Sequence, residues 1–162
     1  MKLATTHDIK TIQQLAQNIW PLCYGDIISV EQISYMLELI YNDAALKTQM
    51  EEGHKFIIAH ENDKPIGFAS FSEKSSFKQT TFRLHKLYVL TTLHTKGIGS
   101  FLLNYICNES KKAGGLLLEL NVNKNNPAIT FYERNGFNIL KEEIIDIGGG
   151  YIMDDYVMVK PL

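Results

Sequence analysis

The apolar positions change period along the chain. Ile9, Ile12, Leu15, Ala16 and Ile19 recur at helical spacing. They predict a helix that Thr6 or Asp8 caps and Pro21 ends near Trp20. Ser29, with Gln32 three residues on, opens a second helix over Val30 to Tyr41 in a capping-box pattern. Asp43 is the expected cap of a third, short helix that Gly53 breaks. The period then shortens. HKFIIAHE and KPIGFASFSE are strand-like runs joined by Asn62-Asp63, a hairpin turn, and Pro65 suits the start of its strand. Gln79 to Leu90 is a third such run.

Helical spacing returns at Ile98, Leu102, Tyr105, Ile106 and Ala113, with Lys111 and Lys112 in the last turn and Gly114 beyond it. Leu116 to Asn123, LLLELNVN, is a continuous apolar run that predicts a central strand. Asn125-Asn126-Pro127 opens a short helix, AITFYERN, closed by Gly136. Two last strands, FNILKEEIID and YIMDDYVMVK, flank Gly148-Gly149-Gly150 as an antiparallel pair. A short strand over Lys2 to Thr5 precedes all of this. Most neighbouring strands can pair as hairpins. The two flanking the helix after Gly97 need a crossover, so they are expected to run parallel. The fold class is α/β (α+β), a mixed and mostly antiparallel sheet flanked by helices.

Composition narrows the reading. The chain has 162 residues and ordinary apolar content, and no low-complexity tract or linker divides it, so a single domain over residues 1–162 is expected. A formal charge of -2 argues against a nucleic-acid partner, and no apolar run reaches membrane-spanning length. MKLATTHDIK lacks the apolar core of a signal peptide. Cys23 and Cys107 have no metal-type spacing, so no metal site is expected. They read as free thiols in a reducing cytoplasm, with a single disulfide as the alternative.

The chemistry concentrates between Leu84 and Gly115. A helix start leaves unpaired N–H groups backed by partial positive charge. Gly97 and Gly99 ahead of it let an anion approach the backbone closely, which suits a diphosphate. The same glycines also fit an ordinary turn into a core helix, since a lone Gly-x-Gly is a weak motif. The loop lacks the Gly-x-x-x-x-Gly-Lys-Ser/Thr pattern of a nucleotide loop. Leu102 also stands where a dinucleotide fingerprint has its third glycine.

Two motifs resemble the GCN5-related N-acetyltransferases, which move an acetyl group from acetyl-CoA to an amine. HTKGIGSFLL resembles the family's Gln/Arg-x-x-Gly-x-Gly/Ala loop before a helix, and NNPAITFYERNGF its Asn-x-x-Ala…Tyr-x-x-x-Gly-Phe segment. Their order and spacing through LLLELNVN also fit, and the element order covers the whole chain. The loop departs from the pattern at its head, where His94 replaces Gln or Arg. The N-terminal half loosely resembles members whose helices wall the acceptor site. The ending, GGGYIMDDYVMVKPL, bears a weak likeness to polyamine acetyltransferases.

The resemblance implies a splayed parallel strand pair and a set of roles. His94, Thr95, Lys96, Gly97, Ile98, Gly99 and Ser100 would hold the diphosphate of acetyl-CoA, largely through backbone N–H groups. Leu87 and Val89 would meet the pantetheine arm, and the Val89 N–H would polarise the thioester oxygen. Asn125 or Asn126 would hydrogen-bond that arm, or else cap the helix ahead of Pro127. Tyr132 would protonate the leaving thiolate, since a phenol's pKa exceeds a thiol's. His85 stands where many members carry a carboxylate and would make the amine neutral. Strict alternation would place it on the face of Leu87 and Val89. Asp154-Asp155 could draw in a cationic amine, and Tyr24, Tyr35 and Tyr41 could line the acceptor pocket. A homodimer through the C-terminal strands is implied by resemblance alone. The alternative function is a non-catalytic acyl-CoA-binding sensor or interaction module.

Overall fold

The computed structural model describes residues 1–74, 79–91 and 97–162. In chain order its strands are β1 (Lys2–Leu3), β2 (Lys55–Glu61), β3 (Lys64–Lys74), β4 (Thr81–Val89), β5 (Leu117–Asn123), β6 (Asn138–Gly148) and β7 (Tyr151–Pro161). Its helices are α1 (Ile9–Tyr24), α2 (Val30–Tyr41), α3 (Asp43–Glu51), α4 (Ile98–Lys112) and α5 (Ala128–Arg134). Among the described residues the strands form one sheet in the order β1-β2-β3-β4-β5-β7-β6. Every neighbouring pair is antiparallel except β4–β5, which is parallel and bridged by α4. No helix among the described residues is long and apolar enough to cross a membrane.

Local chemistry explains most boundaries. The Ser29 side chain accepts from the Gln32 N–H at 3.1 Å and opens α2 as expected. Asn62 and Asp63 both adopt positive φ, which makes the tight β2–β3 hairpin. Three expectations need correction. Asp8, one of the two expected residues, is the N-cap of α1, but a 3₁₀ turn at Thr6–Asp8 precedes it and is capped by Thr5, so Thr6 caps nothing. Pro21 lies inside α1, which continues to Tyr24. The Gly25 N–H donates to the Pro21 carbonyl at 3.1 Å and closes that last turn. Asn42, not Asp43, caps α3, accepting from the Ala45 N–H at 2.8 Å.

The sheet carries a core on each face. On one side Leu102, Leu103 and Ile106 of α4 are fully buried against Leu84, Leu118, Leu120 and Met158, with Tyr132 and Phe137 completing the cluster. On the other, Ile12, Ile19 and Trp20 of α1 join Ile33, Met36, Leu46, Phe56 and Phe68. Each fully buried aliphatic side chain contributes about 1.5–3 kcal/mol.

One irregularity of the sheet matters below. Ser70 pairs with Lys86 but Phe71 pairs with Leu84, so His85 is an extra residue bulged out of β4. Nearby, Gly67 faces Val89 across β3–β4, and a Cβ there would stand 2.6 Å from the Tyr88 carbonyl oxygen. We expect Gly67→Ala to destabilise the protein by about 1–3 kcal/mol, because backbone and not a pliable side chain would have to move. Thermal unfolding checks this, and an unchanged Tm would refute it.

Candidate active site

β4 and β5 are paired only from Thr81 with Leu117 to Leu84 with Leu120. Beyond that point each strand keeps its outer neighbour. β4 stays paired with β3 through Val89, and β5 with β7 through Asn123. Polar side chains clamp the closed half. Glu119 of β5 accepts from Lys74 at 2.7 Å and Arg83 at 3.1 Å, and Arg83 also donates to Asn121 at 2.7 Å. The open half borders a cavity of about 880 Å³, lined by Leu84 to Val89 on one flank and Leu120 to Asn123 on the other.

The cavity reaches both faces of the sheet. On the α4 side it is bounded by Gly97, Gly99, Ser100, Ala128 and Tyr132. Gly97, at φ 74°, caps α4, and a side chain there would be strained even though the space is open. Asn126 borders the cavity and accepts from the Ala128 N–H at 2.9 Å, one residue ahead of Pro127, the N-cap of α5. Asn125 is exposed and does not line it. Ile98 packs into the α4 core and does not line the cavity. Leu87 and Val89 both line it. His94, Thr95 and Lys96 lie outside the described residues.

Tyr132 is held between Phe131 and Phe137, at ring separations of 5.3 and 5.6 Å, and is 9% exposed. Burial, with Tyr24 nearby, pushes its phenol well above the ordinary value, so it stays protonated at neutral pH. On the opposite face the walls are Cys23, Tyr24, Ile28, Met36, Ile152 and Met153, with Asp155 among them. The Tyr24 and Tyr88 hydroxyls share a hydrogen bond at 3.1 Å, and burial pushes Tyr24 up to about 12. Asp155 is 5% exposed, and its pKa is pushed up to about 6. Burial is the main cause, and the Asn121 amide and Arg83 oppose it. Tyr24 and Tyr41 line the cavity, but Tyr35 does not. Its hydroxyl donates to the Ile147 carbonyl at 2.8 Å and its ring lies 5.3 Å from Tyr151, which ties the β6–β7 hairpin to α2.

His85 corrects the alternation argument. The bulge turns it away from the face of Leu87 and Val89, which belong with the α4 core. Its ring stacks on His54 at 3.9 Å, and its Nε2 shares a hydrogen bond with the Ser72 hydroxyl at 2.8 Å. Burial, then His54, Lys86 and Arg83, push its pKa down to about 3. It is neutral at pH 7 but a weak base. Lys86 beside it was not singled out from sequence. It is 7% exposed, donates to the Gln49 side chain at 2.6 Å and lies over the Tyr41 and Phe56 rings. Burial lowers its pKa to about 8. Its strand also carries Arg83 and His85, so nothing in the sequence marked Lys86 out from its polar neighbours.

A sheet opened between parallel strands, with a glycine-started helix at one mouth, suits a ligand that joins a diphosphate to an extended amide arm. Comparison with known proteins agrees. Residues 26–150 match the family model described as the acetyltransferase (GNAT) domain. The chain is 28% identical over 140 residues to N-alpha-acetyltransferase 50 of Danio rerio, covering 85% of this chain and 73% of that protein. It is 26% identical over 139 residues to the probable N-acetyltransferase san of Drosophila melanogaster, covering 84% and 66%. Among solved structures, the PaiA N-acetyltransferase of Thermoplasma acidophilum, in complex with coenzyme A, superposes with a TM-score of 0.81 at 24% identity over 100% of both chains. The chain belongs to the GNAT acetyltransferase family, and its activity is acetyl-CoA-dependent N-acetyl transfer.

The buried histidine gives a pH prediction. Neutral His85 is favoured in the folded chain, whereas an unfolded histidine takes a proton below about pH 6.5. Its contribution to stability is therefore full above about 6.5 and is lost as the pH falls toward 3. We expect His85→Gln to flatten the fall in Tm between those limits. An acid limb as steep as that of the wild type would sink the assignment.

Proposed function

We propose that the whole chain works as one N-acetyltransferase domain whose acceptor is a primary amine on an apolar body, in the first place the α-amino group of a polypeptide. The cavity running through the sheet carries this reading. One of its mouths holds the start of α4, and the other combines apolar walls with the buried Asp155 carboxylate and the buried Lys86 ammonium. The site residues fit acetyl-CoA. The first turn of α4, led by a positive-φ glycine, suits a diphosphate, and the opened edges of β4 and β5 suit an arm made of amides.

Acetyl-CoA supplies an activated acyl group, and the chain's own residues do the rest. Gly97, Gly99 and Ser100 orient the diphosphate, with His94, Thr95 and Lys96 as the remainder of that cradle. Leu87 and Asn126 flank the arm, and the Val89 N–H polarises the carbonyl oxygen. Tyr132, kept protonated by burial, gives its proton to the departing sulfur. The base role given to His85 is not carried forward, since its ring is engaged by Ser72 and His54.

The acceptor class draws on two supports. The walls built by Ile28, Met36, Ile152 and Met153 are apolar, and Leu22 and Ile152 at the mouth are exposed. The name of the Danio rerio relative specifies N-alpha acetylation. A polyamine acceptor is the second reading, favoured by the carboxylate and by the likeness of the chain's ending. Free Cys23 and Cys107 support a reducing, cytoplasmic setting. Outward-facing Ile139, Leu140 and Ile144 on edge strand β6 support a dimer through the C-terminal strands.

A panel of peptides with apolar first residues, free amino acids and polyamines, assayed for thiol release from acetyl-CoA, tests the acceptor. We expect the peptides to lead by about tenfold or more in kcat/KM, one methylene-scale pocket preference or better. A lead for the polyamines replaces the reading. With the best acceptor, Tyr132→Phe is expected to lower kcat by about 100-fold or more while acetyl-CoA affinity holds. An unchanged kcat removes Tyr132 from the acid role.

A further inference from the structure

We propose that the Asp155 carboxylate seats the acceptor's ammonium group and takes its proton. This rests on the acetyl-transfer reading above and adds the group that reading lacks, a base on the acceptor side.

The two residues of the acidic pair have different fates. Asp154 is engaged by Lys124 at 2.7 Å, and the same ammonium reaches Glu142 at 2.7 Å. That carboxylate already has a cation beside it, shared with Glu142. Asp155 is buried and lines the cavity. It pairs with Asn123 in the β5–β7 ladder, which places it at the open end of the splayed strands. It and Val157 are buried on the side of the sheet away from Met158 and the α4 core, so the carboxylate lies on the acceptor side.

The groups around Asp155 leave it short of positive charge. The Asn121 amide of β5 favours its charged form but carries no charge and donates to Glu143 at 3.1 Å, and Arg83 of β4 acts on it from a distance, being already bonded to Glu119 and Asn121. Asp154 of β7 and Glu143 of β6 repel it, and Tyr24 of α1 faces it across the cavity. Among the described residues no salt bridge is made to Asp155. A buried carboxylate in this setting lacks a cation, and an arriving ammonium supplies one.

The proton balance closes. The ammonium gives one proton to Asp155 and its nitrogen becomes a neutral amine. The nitrogen attacks the thioester carbonyl, the C–N bond forms and the C–S bond breaks. The thiolate takes its proton from Tyr132. The second proton lost from the nitrogen restores Tyr132, and Asp155 releases its own to solvent, so one proton leaves per turnover. A carboxylate that titrates near 6 draws a proton more readily from an α-ammonium, at about 8, than from a lysine ammonium, at about 10.4. The difference of about two and a half decades favours α-amines by up to a few hundred-fold.

Steady-state kinetics of the wild type, Asp155→Asn, Asp155→Glu and Asp154→Asn test the assignment, using acetyl-CoA and the best peptide of the panel. Asp155→Asn is expected to raise the KM for the peptide at least about tenfold. It should also abolish the fall of kcat/KM below about pH 6. Asp155→Glu should regain part of both, and Asp154→Asn should stay within about twofold of wild type. Folding is read separately. Asn mimics the protonated acid, which the fold prefers, so the Tm of Asp155→Asn at pH 8 should equal or exceed that of the wild type. Its acetyl-CoA affinity should be unchanged. An Asp155→Asn enzyme with wild-type KM and pH profile overturns the proposal, as does an equal loss in Asp154→Asn. A wild type that acetylates no amine overturns the transfer reading instead, whatever the variants do.

Discussion

The structure turns on a single pair of strands that starts to pair and then stops. Four register pairs join β4 to β5, ending at Leu84 with Leu120. Beyond that point β4 and β5 no longer pair with each other, so the opened sheet needs a reason to stay open. Part of the reason is mechanical. The Glu119–Arg83–Asn121 network, with Lys74 reaching in from β3, holds the closed half, while β3 and β7 hold the outer edges of the open half. The strands are fixed on three sides and free to part on the fourth. The two cores, one under α4 and one under α1 and α2, meet at that gap. The cavity therefore passes from one face of the sheet to the other, and two ligands can enter from opposite sides and meet.

The electrostatics follow from the same gap. Burial raises Tyr132 and Asp155 alike, and the consequence differs with the group. For Tyr132 it locks the proton on, which makes a donor of the phenol at any ordinary pH. For Asp155 it moves the titration toward the pH at which amines and carboxylates can exchange a proton. A donor on the α4 side and an acceptor on the other side fit a reaction that takes a proton from nitrogen and gives one to sulfur. The chain reaches this arrangement with no metal-ligand cluster among the described residues.

Much of this was legible in the sequence. Period, caps and turn residues gave the element order, the α2 boundaries and the Asn62-Asp63 hairpin, because each depends on neighbours a few residues away. The crossover through α4 required a parallel pair on topological grounds alone. Where reading failed, the cause was a contact distant in sequence or a choice between adjacent residues. Asn42 and Asp43 are both good caps, and only backbone geometry selects Asn42. Pro21 was read as a stop, yet the turn after it closes through its own carbonyl. Tyr35 looked like a pocket residue until the hairpin it anchors was in view.

His85 shows most sharply why a site can be harder to read than a fold. A bulge displaces one residue and reverses the face of everything counted across it. Counting by two from His85 reaches Leu87 and Val89, which are on the α4 side, so the alternation argument was internally sound. The extra residue is His85 itself, and its ring leaves that face for His54 and Ser72. His85 still borders the cavity, but with its pKa pushed down to about 3 it makes a poor base. The gap still demands a base, because an ammonium cannot attack a carbonyl. The cavity wall opposite offers a buried carboxylate on β7, in a segment whose sequence, MDDY, reads as an ordinary solvated strand end. Burial and the Lys124 ion pair separate Asp155 from Asp154, and both depend on segments distant in the chain that fold onto the same gap.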